Sequence, residues 1–212
     1  MRRITDIAVL CSGKSLGRLP EIADKFDTCF IVNLWQNEGP LLRQYLENKD
    51  ITYMLNADQR LWVKEKLGGI KANKAVLSWT KSIQTDPTTA KRDVGSIVKF
   101  FRTVMKVSYL PEKYREVVLQ MRNSGVLCVR FVAEELKPDT LWIVGLDFYC
   151  CDYFRKAGKP VLTEHQINKV SHGWTERLAG YFLDTVRKFP DIQFKMVTEY
   201  KKLPKLSNLE IL

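Results

Sequence analysis

The sequence predicts an α/β fold in which a mostly parallel, Rossmann-like sheet is flanked by helices. Short apolar segments that resemble buried strands alternate with longer segments whose apolar residues recur at helical spacing. Such alternation is typical of parallel sheets covered by helices. Hydrophobic residues make up 45% and charged residues 27% of the 212 residues, as in ordinary globular proteins. The length fits a single domain over residues 1–212.

In the first half of the chain, apolar runs bounded by turn residues predict the positions of the strands and helices. The predicted strands are residues 4–11, 28–33, 51–55 and 74–79. The predicted helices are residues 16–26, 41–47 and 59–67. The first helix should be short or irregular, because Gly17 and Pro20 interrupt it. The polar stretch 81–93, which contains Asp86-Pro87, is predicted to be a loop.

The second half continues the alternation. The predicted helices are residues 97–107, 124–136 and 175–189, and the predicted strands are 141–146 and 192–197. The tail after Lys201 is short and basic and receives no element. In folds of this class, ligands bind beyond the carboxyl ends of the strands. Turn or polar residues lie at the carboxyl ends of four of the predicted strands: Ser12-Gly13, Asn33, Asn56 and Asp147. We therefore expect one nucleotide-sized site at that edge.

The net charge of +10 favours anionic partners such as nucleotides, nucleotide sugars, nucleic acid or acidic membranes. The basic residues are spread along the chain, so most are expected to form a solvated surface. Nucleic acid is not the expected partner, because the aromatic residues do not alternate with Lys and Arg in a recognisable binding motif.

The cysteines and histidines predict a reduced protein without a zinc site. The five cysteines include no Cys-x-x-Cys pair, and adjacent Cys150 and Cys151 would form a strained bridge. We expect free thiols in a cytoplasmic protein. Only two histidines are present, and neither has the usual spacing of zinc ligands.

Gly13-Lys14-Ser15 matches the last three residues of the phosphate-binding loop pattern. The full pattern needs a glycine at position 8, where this chain has Ala8, and the residues between them have the character of a strand. We predict a tight turn after the first strand. Its amides and Lys14 would still be able to face a phosphate.

Six segments occur in an order that resembles a known family. They are 11–16 (Cys-Ser-Gly-Lys-Ser-Leu), Val32-Asn33, Asn56 after Tyr53-Met54-Leu55, 122–126 (Arg-Asn-Ser-Gly-Val), 144–149 (Val-Gly-Leu-Asp-Phe-Tyr) and Ser171-His172. This ordered set resembles the Campylobacter-type bacterial sialyltransferases, a glycosyltransferase family 42-like group. The resemblance spans residues 7 to about 185. It implies a GT-A-like sialyltransferase variant of the α/β fold, with a small lid over residues 150–172.

The resemblance also implies a reaction and its catalytic residues. A sialic acid, or a related sugar, would pass from a CMP-activated donor to a hydroxyl of a glycan acceptor. His172 would be the general base, and Glu176, at i+4 in a helix, could orient it. Tyr149 and Tyr153 would hydrogen-bond the leaving phosphate, and Arg122 would add a positive charge.

The predicted substrate- and nucleotide-binding residues follow the same resemblance. They are Ser12, Gly13, Ser15, Asn33, Asn56, Ser124, Gly125, Asp147 and Phe148. The chain contains no Asp-x-Asp pair, so we predict no metal requirement, and no cofactor apart from the CMP-sugar itself. Family membership would further imply homo-oligomers and peripheral membrane contact.

Structural interpretations of the same residues stay open. His172 could be a capping or surface histidine, the two tyrosines could be packing residues, and the asparagines are common turn residues. Ser124-Gly125 could be a plain helix start.

The sequence also departs from the family pattern. Ser12 stands where the family has asparagine, Lys14 replaces a proline, and the segment of Arg122 is one residue shorter. An inactive nucleotide-binding relative is therefore one alternative. The other is an MptE-like pyrophosphokinase, which would need ATP, magnesium and carboxylates such as Asp147 and Asp152.

Overall fold

The computed structural model describes residues 5–33, 39–55, 70, 72, 74–85, 102, 105–121, 123–150 and 173–212. Within them the chain forms an eight-stranded sheet in the order β5-β4-β3-β2-β1-β6-β7-β8, and every neighbouring pair is parallel. The strands are β1 (Asp6–Leu10), β2 (Thr28–Val32), β3 (Asp50–Leu55), β4 (Lys74–Thr80), β5 (Lys106–Leu110), β6 (Thr140–Val144), β7 (Gln193–Val197) and β8 (Leu209–Ile211).

Helices connect these strands. They are α1 (Gly39–Leu46), α2 (Lys81–Thr85), α3 (Arg115–Met121), α4 (Ser124–Glu135) and α5 (Trp174–Lys188). Short 3₁₀ helices cover Lys14–Glu21, Ala23–Lys25 and Glu112–Tyr114. The connection after β1 is therefore irregular, as the interruption by Gly17 and Pro20 predicts.

The sheet is buried on both faces, which explains why its central strands are continuous apolar runs. In β1, Ile7 and Val9 pack into one core with residues of α4 and α5, such as Val129 and Phe182. Ala8 and Leu10 pack into the other core with residues of the 3₁₀ helix and α1. Neighbouring positions alternate between the two cores, because successive side chains of a strand point to opposite faces.

The strand order reverses beside β1. From β1 the chain runs outward through β2, β3, β4 and β5, returns to β6 on the other side of β1, and runs outward again through β7 and β8. Helix α4 lies on the return path and contacts β1, β2, β3 and β4. The switch point of this doubly wound sheet therefore lies between β1 and β6, where such folds bind ligands.

Most predicted elements are confirmed to within two residues, but two predictions fail at their ends. The predicted loop 81–93 begins with helix α2, whose Ser82 amide and hydroxyl donate to the Glu112 carboxylate at 3.1 and 2.5 Å. The predicted helix 97–107 is wrong at its end, because Lys106 and Val107 belong to edge strand β5. The predicted helix 59–67 and the rest of these two segments lie outside the described residues, apart from Arg102 and Met105.

Three further described elements have no counterpart in the prediction. The 3₁₀ helix Glu112–Tyr114 and helix α3 follow β5. The basic tail ends in strand β8, which pairs with β7 at the edge of the sheet. Among the described helices, none has both the length and the apolar character that a membrane crossing needs.

Candidate functional site

Three chain segments meet at the carboxyl ends of β1 and β6. Cys11 N–H donates to the Val144 carbonyl at 2.8 Å, and Gly13 N–H donates to the Gly145 carbonyl at 2.8 Å. The start of α4 packs against both turns, since a Cβ added to Gly125 would lie 3.0 Å from Cys11 Sγ and 2.9 Å from Leu146 Cδ1. The sequence-distant turns after β1 and β6 and the amino end of α4 therefore form one surface at the switch point.

A buried carboxylate ties the two turns together. Asp147 is 3% exposed, and its Oδ2 accepts the Ser15 amide at 3.0 Å. Its Oδ1 lies 2.7 Å from the Ser15 hydroxyl, and it also accepts the Thr198 hydroxyl at 3.0 Å and the Glu199 amide at 2.9 Å. Four donors from the turn after β1 and from the end of β7 thus converge on Asp147. Their number satisfies the acceptor capacity of a carboxylate.

Two glycines allow the turns to approach so closely. A Cβ on Gly13 would lie 2.4 Å from the Gly145 carbonyl oxygen and 2.5 Å from Asp147 Oδ2. Gly145 has φ +76°, and a Cβ there would lie 2.1 Å from the Cys11 carbonyl oxygen. The backbone amides of Gly13 and Ser15 donate their hydrogen bonds to acceptors within the protein, the Gly145 carbonyl and Asp147 Oδ2. This arrangement agrees with the rejection of a phosphate-binding loop. In the turn after β1, Ser12 is half-exposed and Lys14 is exposed.

The segment after β6 holds its side chains in a tight turn. Cys150 N–H donates to the Asp147 carbonyl at 2.9 Å, and the two residues between them, Phe148 and Tyr149, have φ of 49° and 62°. Left-handed backbone costs a non-glycine residue about 1–2 kcal/mol. The Phe148 side chain is buried against Phe182 and Tyr200, with ring centroids 5.7 and 5.3 Å apart. Phe148 therefore anchors the turn in the core, and the half-exposed Tyr149 packs against the same core.

Asn123 links this turn to α4. Its Oδ1 accepts the Val126 amide at 2.9 Å, which makes it the N-cap of the helix. Its Nδ2 donates to the Tyr149 hydroxyl at 3.1 Å. Next to it, the Ser124 hydroxyl lies 3.4 Å from the Ser78 hydroxyl of β4. Ser124 and Gly125 therefore belong to the first turn of a twelve-residue helix whose positive end faces the switch point.

Asn33 directly follows β2, beside the turn after β1. Its φ of 68° is left-handed, and its amide donates to the Met54 carbonyl at 2.7 Å. Its Oδ1 is buried and has no hydrogen-bond partner within the described part of the chain. A buried acceptor without a donor is costly, so this oxygen is suited to accept a hydrogen bond from a ligand.

Helix α5 begins near the same edge. Gly173, with φ +69°, precedes it, and Glu176 in its first turn lies 3.7 Å from the Lys202 ammonium. Burial raises the pKa of Tyr200, and the negative charges of Glu176 and Cys150 raise it further. Glu176 therefore lies close to the turn after β6. In the described residues its ion-pair partner is Lys202.

Four predicted site residues lie outside the described residues: Asn56, Arg122, Tyr153 and His172. The same holds for most of the predicted lid, residues 151–172. Of the described ones, Ser12, Gly13, Ser15, Ser124, Gly125, Asp147, Phe148 and Tyr149 come together around β1 and β6, with Asn33 one strand away. Asn123 was missed, although an asparagine directly before a helical pattern is a strong N-cap signal.

The described residues contain no group of three His, Cys, Asp or Glu side chains arranged to hold a metal ion. Asp147, in the turn after β6, already accepts four hydrogen bonds. The thiols of Cys11 and Cys128 are buried, and desolvation raises the pKa of both. These two thiols are therefore protonated at neutral pH, and a protonated thiol is neither a nucleophile nor a metal ligand.

Comparison with known proteins supplies a structural relative. No protein-family model matches the chain, and no curated protein matches it in sequence. A solved structure of the Campylobacter sialyltransferase CST-II, a variant in complex with CMP, is similar with a TM-score of 0.51. The similarity covers 91% of this chain and 80% of that one, at 11% sequence identity. At that identity the likeness demonstrates a shared α/β fold.

Proposed function

We propose that this chain is a glycosyltransferase that moves a sialic acid, or a related sugar, from a CMP-activated donor to a hydroxyl of a glycan acceptor. One observation carries the proposal. The Tyr149 phenol, oriented by Asn123, lies beside the amino end of α4 at the switch point of the sheet. A neutral hydroxyl and a helix N-terminus are suited to a phosphate monoester that has to leave after the reaction.

In the proposed reaction the acceptor hydroxyl attacks the anomeric carbon of the donor sugar. His172 takes the proton of that hydroxyl, and the bond from the sugar to the CMP oxygen breaks, so the electron pair leaves with the phosphate. Tyr149 and Tyr153 donate hydrogen bonds to the developing charge, and Arg122 adds a positive charge. Histidine is suited to the base role because its ordinary pKa lies near neutrality.

We propose that polar residues at this edge hold the nucleotide and the sugar. Ser12 and Asn33 come after β1 and β2, and in the sequence Asn56 directly follows β3. Asn33 Oδ1, which has no hydrogen-bond partner among the described residues, can accept from a hydroxyl or amine of the donor. Ser124 and Gly125 contribute the first turn of α4. We assign Gly13, Ser15, Asp147 and Phe148 a supporting role, because their contacts lie within the protein.

The proposed reaction needs no metal, since a single phosphate can leave with help from neutral and cationic donors. The pyrophosphokinase alternative would require carboxylates free to bind magnesium. Asp147 accepts four hydrogen bonds from the protein, which weighs against that alternative.

Release of CMP from CMP-sialic acid in EDTA tests the proposal, with CMP-Kdo in parallel. We expect release with one of the two donors, and a fall of about 100-fold or more in His172→Ala, as is typical for loss of a general base. His165→Ala, which replaces the other of the two histidines, is the matched control and should retain the wild-type rate. A folded wild-type protein that releases no CMP from either donor would contradict the proposal. Magnesium-dependent release of AMP from ATP in the presence of a pterin, without CMP release from either donor, would favour the pyrophosphokinase.

A further inference from the structure

We infer that Asn123 is a positioning residue that fixes the direction of the Tyr149 hydroxyl hydrogen and thereby sets the affinity of the site for the phosphate of CMP. The inference rests on the proposed function and extends it to a residue outside the predicted set. It depends on two hydrogen bonds of one side chain, at 2.9 Å to Val126 N and at 3.1 Å to Tyr149 Oη.

The chemistry of these partners leaves one orientation for the Asn123 amide. The Val126 backbone N–H can only donate, so the side-chain atom that faces it must be the carbonyl Oδ1. The other atom, Nδ2, has only hydrogens to offer, and it faces the Tyr149 oxygen. The phenol must therefore accept from Asn123, and its own hydrogen is directed to a different acceptor.

This arrangement prepares the phenol as a donor. A hydroxyl that already accepts one hydrogen bond donates a stronger second one, because the two bonds polarise each other. The bond to Asn123 also holds a residue whose backbone is left-handed, at φ 62°, so the hydroxyl is placed before any ligand arrives. Phe148 fixes the other side of the turn in the core.

Replacing Asn123 with aspartate reverses the hydrogen bond while the helix cap is kept. Aspartate caps helices as well as asparagine, and its charge is favourable at a helix N-terminus. A carboxylate can only accept, so Tyr149 must turn its hydrogen towards position 123. A phosphate would then meet an oxygen lone pair in place of a donor. Asn123→Ser keeps the cap and removes the donor without adding charge.

The test is calorimetric titration of CMP in EDTA with wild type, Asn123→Asp and Asn123→Ser, each also combined with Tyr149→Phe. We expect Asn123→Asp to weaken CMP binding on the order of tenfold to a hundredfold, the effect of losing a hydrogen bond to a charged group. Asn123→Ser should weaken it several-fold, and this loss should disappear in the Tyr149→Phe background. Wild-type affinity in Asn123→Asp, or an undiminished effect of the serine in the phenylalanine background, would overturn the inference.

A matched variant separates positioning from stability. The two hydrogens of Asn208 Nδ2 are shared among the Val186, Phe189 and Ile192 carbonyls, at 3.0, 3.1 and 3.3 Å, at the far end of α5. Asn208→Asp should lower the melting temperature and leave the CMP affinity unchanged. Asn123→Asp should lower the CMP affinity and leave the melting temperature unchanged. If both variants lose affinity in proportion to stability, Asn123 is only a structural residue.

A spectroscopic measurement does not depend on the proposed function. The tyrosine doublet in the Raman spectrum reports whether a phenol donates or accepts, and Tyr149→Phe identifies the contribution of Tyr149. Asn123→Asp should shift that contribution from acceptor to donor, and an unchanged doublet would overturn the inferred orientation. If the doublet shifts but the wild type binds no CMP, the proposed function fails and the assigned ligand fails with it.

Discussion

Replacing Asp147 with asparagine should weaken the fold more than any exposed substitution, because this side chain is the acceptor that joins the turns after β1 and β6. The carboxylate accepts the Ser15 amide, the Glu199 amide and the hydroxyls of Ser15 and Thr198. In Asp147→Asn, one oxygen becomes an NH₂ group. If that group replaces Oδ2, it faces the Ser15 amide, and two donors oppose each other.

The magnitude follows from these contacts. A buried donor left without its acceptor costs about 1–3 kcal/mol, and the three bonds to the remaining oxygen weaken from charge-assisted to neutral. We expect a loss of about 3 kcal/mol in the free energy of unfolding. For a domain of this size, each kcal/mol lowers the melting temperature by about 2–4 °C, so the expected fall is roughly 6–12 °C.

Thermal unfolding followed by circular dichroism measures this change. Asp184→Asn is the matched control, because Asp184 is 70% exposed and its contact with Arg187 is a surface ion pair at 3.3 Å. Its melting temperature should stay within about 2 °C of the wild type. An Asp147→Asn protein that also melts within about 2 °C of the wild type would refute the reasoning. It would mean that the cost of burying the charge cancels its hydrogen bonds.

Two further predictions concern titratable groups. Iodoacetamide at pH 8 should label the exposed Cys150 well before the buried Cys11 and Cys29. Burial raises the pKa of both buried thiols, that of Cys29 to about 12. Equal labelling of the three cysteines in the folded protein, measured by peptide mass spectrometry, would contradict this. Hydrogen bonds from Ser82 hold the pKa of Glu112 below its ordinary value of 4.5. Glu112 therefore stabilises the fold above pH 4.5, and this stabilisation is lost as the pH falls through the lowered pKa. The difference in melting temperature between wild type and Glu112→Gln should therefore shrink from pH 7 to pH 3, and a constant difference would argue against the role of this carboxylate.

The core strands could be predicted because burial on both faces requires apolar residues at nearly every position. The burial of β1 and β6 matches their continuous apolar runs. Edge strand β5 was missed because Lys106 and Ser108 are exposed on one side, which leaves only a short alternation. Edge strand β8, with three residues, is too short for a periodic signal.

For the candidate site too, local features could be predicted from the sequence, and contacts between distant residues could not. Local signals, a turn residue after a strand and a polar residue before a helix, predicted the edge at which the turns after β1 and β6 and the start of α4 meet. What they could not supply is pairing across the chain, since Ser15 and Asp147 are 132 positions apart. The roles of Asp147 as a structural acceptor and of Asn123 as the partner of Tyr149 follow from tertiary contacts alone.

The most direct test of the central claim is the affinity of the protein for CMP in EDTA, measured by calorimetry for wild type and Tyr149→Phe. Wild type should bind CMP without metal. Tyr149→Phe should bind about tenfold more weakly, since it lacks one hydrogen bond to a charged phosphate. A wild-type protein that does not bind CMP, or equal affinities in the two proteins, would contradict a nucleotide site at the switch point between β1 and β6.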